Sequence, residues 1–207
     1  MFADTDGYIL ARLSHDDRDN LAHFDCVNHS EFTAISPRSR KRLIRHSEDM
    51  NYFLKNEALE EQNEGYNTTF LVKKDEKIIG YMSLCSDAIR LDYSERRIRN
   101  RGNTGVIGYE TFPALKIARL AVHKDFQKCG IGKMLINYAV FKALLMREEV
   151  GGVRFITLDC FSHRYSYYTN ERIGFIKNKE QVNHSNNQKP ISLRLDIDDY
   201  LDKLEKI

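Results

Sequence analysis

The stretch Ala118-Arg-Leu-Ala-Val-His-Lys-Asp-Phe-Gln-Lys-Cys-Gly-Ile-Gly-Lys133 decides how the chain is read. Leu115 to Val122 has the apolar, β-forming composition of a strand, Gln127-x-x-Gly130-x-Gly132 makes a tight turn, and Lys133 to Glu149 follows as a helix. Such a passage from strand to helix suits an anion. Glycine lets the backbone come close to a ligand, the first helical amides lack partners inside the helix, and the helix dipole adds about half a positive charge there. A pyrophosphate can sit on those amides, with Lys128 and Lys133 strengthening the field. The absence of a trailing Gly-Lys-Ser/Thr argues against a nucleoside triphosphatase loop. Two glycines before a helix also make an ordinary turn, so the flanking segments must decide.

Downstream, the helix carries apolar residues on nearly every face, which predicts burial on several sides; Gly151 and Gly152 end it, and Val153 to Cys160 is a strand. Strand, helix and strand form a crossover unit. Ser166 to Arg172 reads as a short helix leading to Ile173-Gly174-Phe175, and Lys177 to Lys189 as a polar loop. The alternation at Ile191, Leu193, Leu195 and Ile197 predicts a half-buried strand before a last helix capped by Asp198. Upstream, Thr69 to Val72 and Ile78 to Leu84 read as a hairpin turning through Lys73 to Lys77. A helix is expected after Ser47, with Met50, Phe53, Leu54 and Ala58 on one face and Gly65 as its stop. Tyr8 to Leu13 reads as a strand entering a helix near Ser14, and Ser86 to Pro113 as a long basic loop. With neither internal repeat nor long linker, residues 1–207 are expected to form one mixed α/β domain.

Composition narrows the class. The 207 residues are 42% hydrophobic and 30% charged with only 3 Pro, which excludes collagen-like and low-complexity chains and predicts a globular protein. Lys and Arg exceed Asp and Glu by 32 to 30, so any basic site must be local. Cys26, Cys85, Cys129 and Cys160 form no C-x-x-C pair, so neither a metal cluster nor a disulfide framework is expected. The first 17 residues lack a basic segment followed by an apolar run, and no uncharged apolar stretch reaches the roughly 18 residues of a membrane span. A cytoplasmic protein without membrane contact is the expectation.

The segment quoted above resembles motif A of the GNAT N-acetyltransferases, in which a Gln/Arg-x-x-Gly-x-Gly/Ala loop follows a Leu-Ala-Val strand. Ile79-Gly80-Tyr81, the long helix, Phe155 to Cys160 and Ile173-Gly174-Phe175 occur in that family's order, and the resemblance covers about residues 47 to 177. It implies the GNAT fold: a central mixed, mostly antiparallel sheet with flanking helices in a single domain, with residues 190–207 adding a strand and short helix. It also implies acetyl-CoA as cosubstrate, no metal, and acetyl transfer to a primary amine. Met50-Asn-Tyr-Phe-Leu-Lys-Asn-Glu-Ala58, Gly80-Tyr-Met-Ser-Leu84 and the motif A text look closest to the toxin-like members, some of which acetylate the α-amine of aminoacyl-tRNA. Protein amines, small amines and a non-catalytic acyl-CoA sensor stay open as alternatives. A homodimer and an antitoxin are compatible with the resemblance. A DNA-binding helix at Ser36 to His46 lacks a second helix of suitable pattern, so no DNA partner is expected.

The resemblance also assigns roles. The backbone of Leu120, Ala121 and Val122 would pair with the pantetheine arm while the side chains of Leu120 and Val122 pack in the core, and an amide near Val122 would polarise the thioester carbonyl. Gln127, Lys128, Cys129, Gly130, Ile131, Gly132 and Lys133 would hold the pyrophosphate. A tyrosine protonated at neutral pH would donate to the departing thiolate. The family places it five residues before the phenylalanine of Gly-Phe, where this chain has Asn170. Tyr168, seven residues before Phe175, is the first candidate, then Tyr167 and Tyr165. Glu110, His123, Asp159 and His163 are candidate bases by position, though an α-amine with pKa near 8 needs no dedicated base. Cys129 lacks a visible partner base, so direct attack in a ternary complex is expected rather than an acyl-enzyme. Arg38, Arg40, Lys41, Arg42 and Arg45, and Arg90, Arg96, Arg97, Arg99 and Arg101, are the stretches that could meet RNA phosphates.

Overall fold

Two neighbouring left-handed residues set the first hairpin. In the computed structural model, which describes residues 2–3, 7–33, 35–99, 110–178 and 190–205, β3 (Thr68–Lys74) turns into β4 (Lys77–Arg90) through Asp75 and Glu76, both with positive φ (47° and 63°). Positive φ at both central residues matches the right-handed twist of the strands they join. The turn is thus tighter than the expected Lys73 to Lys77. Residues 1–85 and 118–137 form one compact unit, and residues 86–117 and 138–207 a second.

In the first unit β1 (Phe2–Ala3), β2 (Ile9–Arg12), β3 and β4 pair antiparallel in that order. After β2, Ser14 begins a single 3-10 turn, its amide and hydroxyl both donating to Asp17 Oδ2 (2.8 and 3.1 Å), and the buried Asp17 carboxylate is paired with Lys73. A short α1 (Arg18–Leu21) follows. The next helix, α2 (Pro37–Tyr52), starts ten residues before the expected Ser47. Pro37 fits the first helical position, where no amide hydrogen is needed, and Ser47 is interior, its hydroxyl donating to Leu43 O (3.4 Å). The early half escaped the apolar pattern because Leu43 is its one buried residue. A π-helical turn at Phe53–Glu57 leads to α3 (Ala58–Asn63) and buries Phe53 and Leu54 with Leu13, Phe24, Leu71, Ile78, Tyr81 and Ala121. An extra residue per turn re-aims the apolar face without breaking the helix.

Within the expected loop from Ser86 to Pro113, the described residues form regular elements. β4 continues to Arg90, α4 (Tyr93–Arg99) follows, and β5 (Thr111–Val122) begins earlier than Leu115; Arg101, Gly102, Gly105 and Gly108 lie outside the described residues. In the second unit β5 pairs in parallel with β6 (Phe155–Cys160), as the crossover requires. The crossover helix is α5 (Ile131–Glu149), starting two residues before Lys133. A five-residue α6 (Tyr165–Thr169) comes next, then β7 (Ile176–Lys177) and β8 (Ile191–Asp196), with β8 antiparallel to both β6 and β7. The expected 177–189 loop falls mostly on residues outside the description. The last helix, α7 (Ile197–Leu204), is capped by Asp196 and not Asp198: Asp196 Oδ1 accepts from the Asp198 and Asp199 amides (3.1 and 3.4 Å), while Asp198 pairs with Arg147 (2.6 Å) and Arg154. β8 also carries Arg194, 2% exposed, whose guanidinium pairs with Glu95 of α4 and donates to Lys177 O (3.1 Å). No described helix is long and apolar enough to cross a membrane.

Candidate active site

Past the end of β5 the backbone changes direction between His123 and Gly130. His123 donates its amide to Ile79 O (2.8 Å), and its Nδ1 accepts from the Asp125 amide (3.3 Å), capping the 3-10 turn Lys124–Phe126. Lys128 (φ 65°) and Gly130 (φ 87°) then bend the chain into α5, whose first i to i−4 bond is Met134 N–H to Gly130 O at 3.0 Å. The amides of Ile131, Gly132 and Lys133 precede that bond and so have no acceptor within the helix. A side chain built at Gly130 would meet nothing within 4 Å, so the outer face of the turn is open. Neutral amides in an open turn, with exposed Lys128 and half-exposed Lys133, are a donor set that fits a pyrophosphate. Cys129 is exposed and Ile131 is buried.

The three strand residues divide differently from expectation. Ala121 is buried in the core of the first unit, whereas Leu120 and Val122 are half-exposed, because alternate residues of a strand face opposite sides. Close approach at this end of β5 depends on Gly80 of β4. A Cβ there would sit 3.1 Å from Ile131 Cγ2 and 3.4 Å from Ala121 O.

Sequence reasoning missed the residues that brace this loop. Gln127 Nε2 donates to Val122 O (3.2 Å) and Cys26 O (3.0 Å), and its Oε1 accepts from Asn28 Nδ2 (3.1 Å). The Gln127 side chain is therefore spent within the protein, leaving its backbone to face a ligand. Asp25 O accepts from the Lys124 amide and Asp25 Oδ2 from Lys124 Nζ, both at 2.8 Å; Asp25 Oδ1 accepts from Asn51 Nδ2 at 2.9 Å. Burial alone would raise the Asp25 carboxyl, but hydrogen bonds from Lys124, the Val27 amide and Asn51 outweigh it and hold the pKa at about 2. Residues 25–28 have no periodicity to read, and their pairing with residues about 100 positions away leaves no local signal.

Tyr168 belongs to the second unit, on α6. Its carbonyl accepts from the Phe175 amide at 3.0 Å, and its ring meets Phe175 edge-on (centroids 5.9 Å apart) and Tyr167 (5.0 Å). Asn170, at the family's usual tyrosine position, instead builds a turn: its carbonyl accepts from the Gly174 amide (2.8 Å) and its Oδ1 from the Arg172 amide (2.9 Å). That turn replaces the end of the helix expected to run to Arg172, and returns Phe175 to Tyr168. Burial, reinforced by Tyr167 and Cys160, pushes the Tyr168 phenol well above the ordinary tyrosine value. Burial also raises Tyr167, which like Tyr165 is more exposed than Tyr168.

The four candidate bases are engaged elsewhere. Glu110 pairs with Arg90 (2.8 Å) and Asp159 with Lys116 (2.7 Å); His163 stacks on Phe161 (6.2 Å); and buried His123 is a cap whose pKa is lowered, by burial first and then by Lys77. Of the first basic stretch, Arg38, Lys41, Arg42 and Arg45 are exposed on α2, while Arg40 donates to Phe32 O and Thr33 O (2.9 and 2.7 Å). Of the second, Arg90 forms the ion pair above and Arg96 lies over Tyr93 (6.0 Å); Arg97 and Arg99 are placed only as α4 backbone. Among the described residues no group of three or more His, Cys, Asp or Glu could hold a metal ion.

Comparison with known proteins places the fold and the family. No curated protein sequence matches the chain. Among solved structures, the toxin AtaT complexed with acetyl-methionyl-tRNAfMet superposes with a TM-score of 0.67 at 16% identity, covering 93% of this chain and 96% of that one. AtaTR bound with AcCoA gives 0.65 at 18% identity (94% and 96%), and a tyrosine-to-phenylalanine mutant of AtaT bound to the C-terminus of the antitoxin AtaR gives 0.63 at 16% (93% and 95%). These likenesses show the fold. The profile of the acetyltransferase (GNAT) family matches residues 31–175, well over half of the sequence. The chain therefore belongs to the GNAT acetyltransferases and is an acetyl-CoA-dependent N-acetyltransferase.

Proposed function

We propose that this enzyme acetylates the α-amine of aminoacyl-tRNA, acting as one domain over residues 1–207 in the cytoplasm. Acetyl-CoA supplies an acetyl thioester. The amides of residues 127–133, with Lys128 and Lys133, hold its pyrophosphate, and Leu120 to Val122 pair with its pantetheine arm. The neutral amine attacks the carbonyl carbon directly: the C–N bond forms, the C–S bond breaks, and the amine loses a proton to solvent. The Val122 amide stabilises negative charge on the carbonyl oxygen as it develops, and Tyr168 gives its proton to the leaving sulfur. Its raised pKa keeps that proton in place at neutral pH.

The observation that supports a nucleic acid as acceptor is the set of exposed cations on α2. Arg38, Arg42 and Arg45 are four and three residues apart, hence on one helical face, and a stripe of cations suits a phosphate backbone even on a chain of net charge +2. The neighbouring AtaT structure with acetyl-methionyl-tRNAfMet is consistent with this choice. The AtaR complex makes an antitoxin segment a proposed partner, and the largely apolar α5 makes a homodimer a proposed assembly.

The test is a panel: labelled acetyl-CoA with charged tRNA, the same tRNA uncharged, peptides with free N-termini, and small amines. Label on charged tRNA alone is the expected result. Label on peptides or small amines with charged tRNA untouched would reassign the substrate.

A further inference from the structure

The loop that begins α5 is braced by hydrogen bonds that leave its open face untouched, and they converge on the Gln127 side chain. Gln127 uses both side-chain amide hydrogens on the carbonyls of Val122 and Cys26. Its oxygen receives Asn28 Nδ2 at 3.1 Å. Asn28 is itself oriented by Ser30, whose amide and hydroxyl donate to Asn28 Oδ1 at 3.2 and 2.6 Å. The two ends of a glutamine amide are nearly alike in shape, so shape alone does not choose between its two orientations. In the reversed one, Gln127 oxygen would confront two carbonyl oxygens while its nitrogen met the Asn28 donor. The two carbonyl acceptors and the Asn28 donor, held by Ser30, all favour the observed orientation, and Asn28 is the side chain that holds the oxygen end.

This bracing reaches the peptide between Val122 and His123. Its oxygen is held by Gln127 and its N–H donates to Ile79 O at 2.8 Å. With that peptide fixed at both ends, the adjoining Val122 amide and the turn through Lys128 share one frame. Residues 25–28 are in turn fixed to α2, since Asn51 donates to Asp25 and accepts from the Cys26 amide at 2.9 Å each.

We propose that Asn28 is a positioning residue for acetyl transfer: by holding the oxygen end of the Gln127 amide, it keeps the acetyl-CoA loop in its binding geometry. The proposal rests on the reading of residues 127–133 as that loop. Its test is calorimetric binding of acetyl-CoA, which needs no acceptor, to Asn28→Ala and Asn28→Asp in the wild-type and Gln127→Ala backgrounds. With Gln127 present, each Asn28 variant should bind about three- to tenfold more weakly, the effect of one hydrogen bond. In Gln127→Ala the same change should cost less than about twofold, because the residue it acts through is gone. Equal weakening in both backgrounds, or none in either, overturns the proposal. Ser30→Ala, at an exposed position, should shift affinity in the same direction by less, and serves if an Asn28 variant does not fold. Gly130→Asp tests the loop separately: unchanged affinity there refutes the pyrophosphate reading whatever Asn28 does.

Discussion

At the scale of single residues, His123 and Tyr168 are both perturbed by burial, with opposite consequences. Burial lowers the His123 pKa below 6.5, so the unfolded chain binds a proton that the folded chain resists. Its contribution to stability is complete above pH 6.5 and is lost as the pH falls through and below that value. Asn can cap the 124–126 turn without titrating. His123→Asn should therefore lose less stability than wild type between about pH 7.5 and 5.5 in urea unfolding. A raised Tyr168 pKa keeps the phenol protonated across the working range. Initial rates should rise as an α-amine with pKa near 8 deprotonates, and should show no falling limb up to about pH 9.5; a limb near pH 8 absent from Tyr168→Phe would assign a lower pKa to that tyrosine. In the sequence, only a two-residue insertion before Phe175 singles out Tyr168 from Tyr167 and Tyr165 as the proposed acid. That the Asn170 turn accommodates the longer spacing was not legible there, since it depends on hydrogen bonds a spacing does not encode. Gln127 was legible as part of a motif, but the sequence contains no sign that its side chain turns inward to Asn28.

At the scale of elements, the loop from β5 to α5 holds its shape through near contact with β4. A methyl at position 80 would press on Ile131 Cγ2 at 3.1 Å, and overpacking of this kind costs about 1–3 kcal/mol. Gly80→Ala should lower the melting temperature and weaken acetyl-CoA binding together, and Ile131→Leu, which lacks the Cγ2 branch, should restore part of both. Independent loss of one without the other would separate the β4 contact from the ligand loop. The principal strands and the crossover helix were visible as runs of β-formers and apolar residues. The first half of α2 and all of α4 were hidden for a shared reason: arginine and lysine are good helix formers, but they leave no apolar stripe. The π-helical turn at Phe53–Glu57 likewise keeps the apolar composition of a helix while changing its period.

At the scale of the whole molecule, a charge of +2 over 207 residues gives little attraction to a polyanion, so affinity for tRNA must come from local cations. If Arg38, Arg42 and Arg45 each meet a phosphate, replacing one by Gln should weaken tRNA binding at every charged species alike and lower the slope of log affinity against log salt by about 1. An unchanged slope for all three would remove α2 from the interface. The most direct measurement is single-turnover acetyl transfer from labelled acetyl-CoA to charged tRNA by wild type and Tyr168→Phe, with acetyl-CoA affinity measured in parallel. Label on charged tRNA, a rate about 10²- to 10⁴-fold lower for Tyr168→Phe, and affinity within about twofold of wild type are the expected results. A Tyr168→Phe rate equal to wild type, or no label on charged tRNA with acetyl-CoA binding intact, would contradict the proposed transfer.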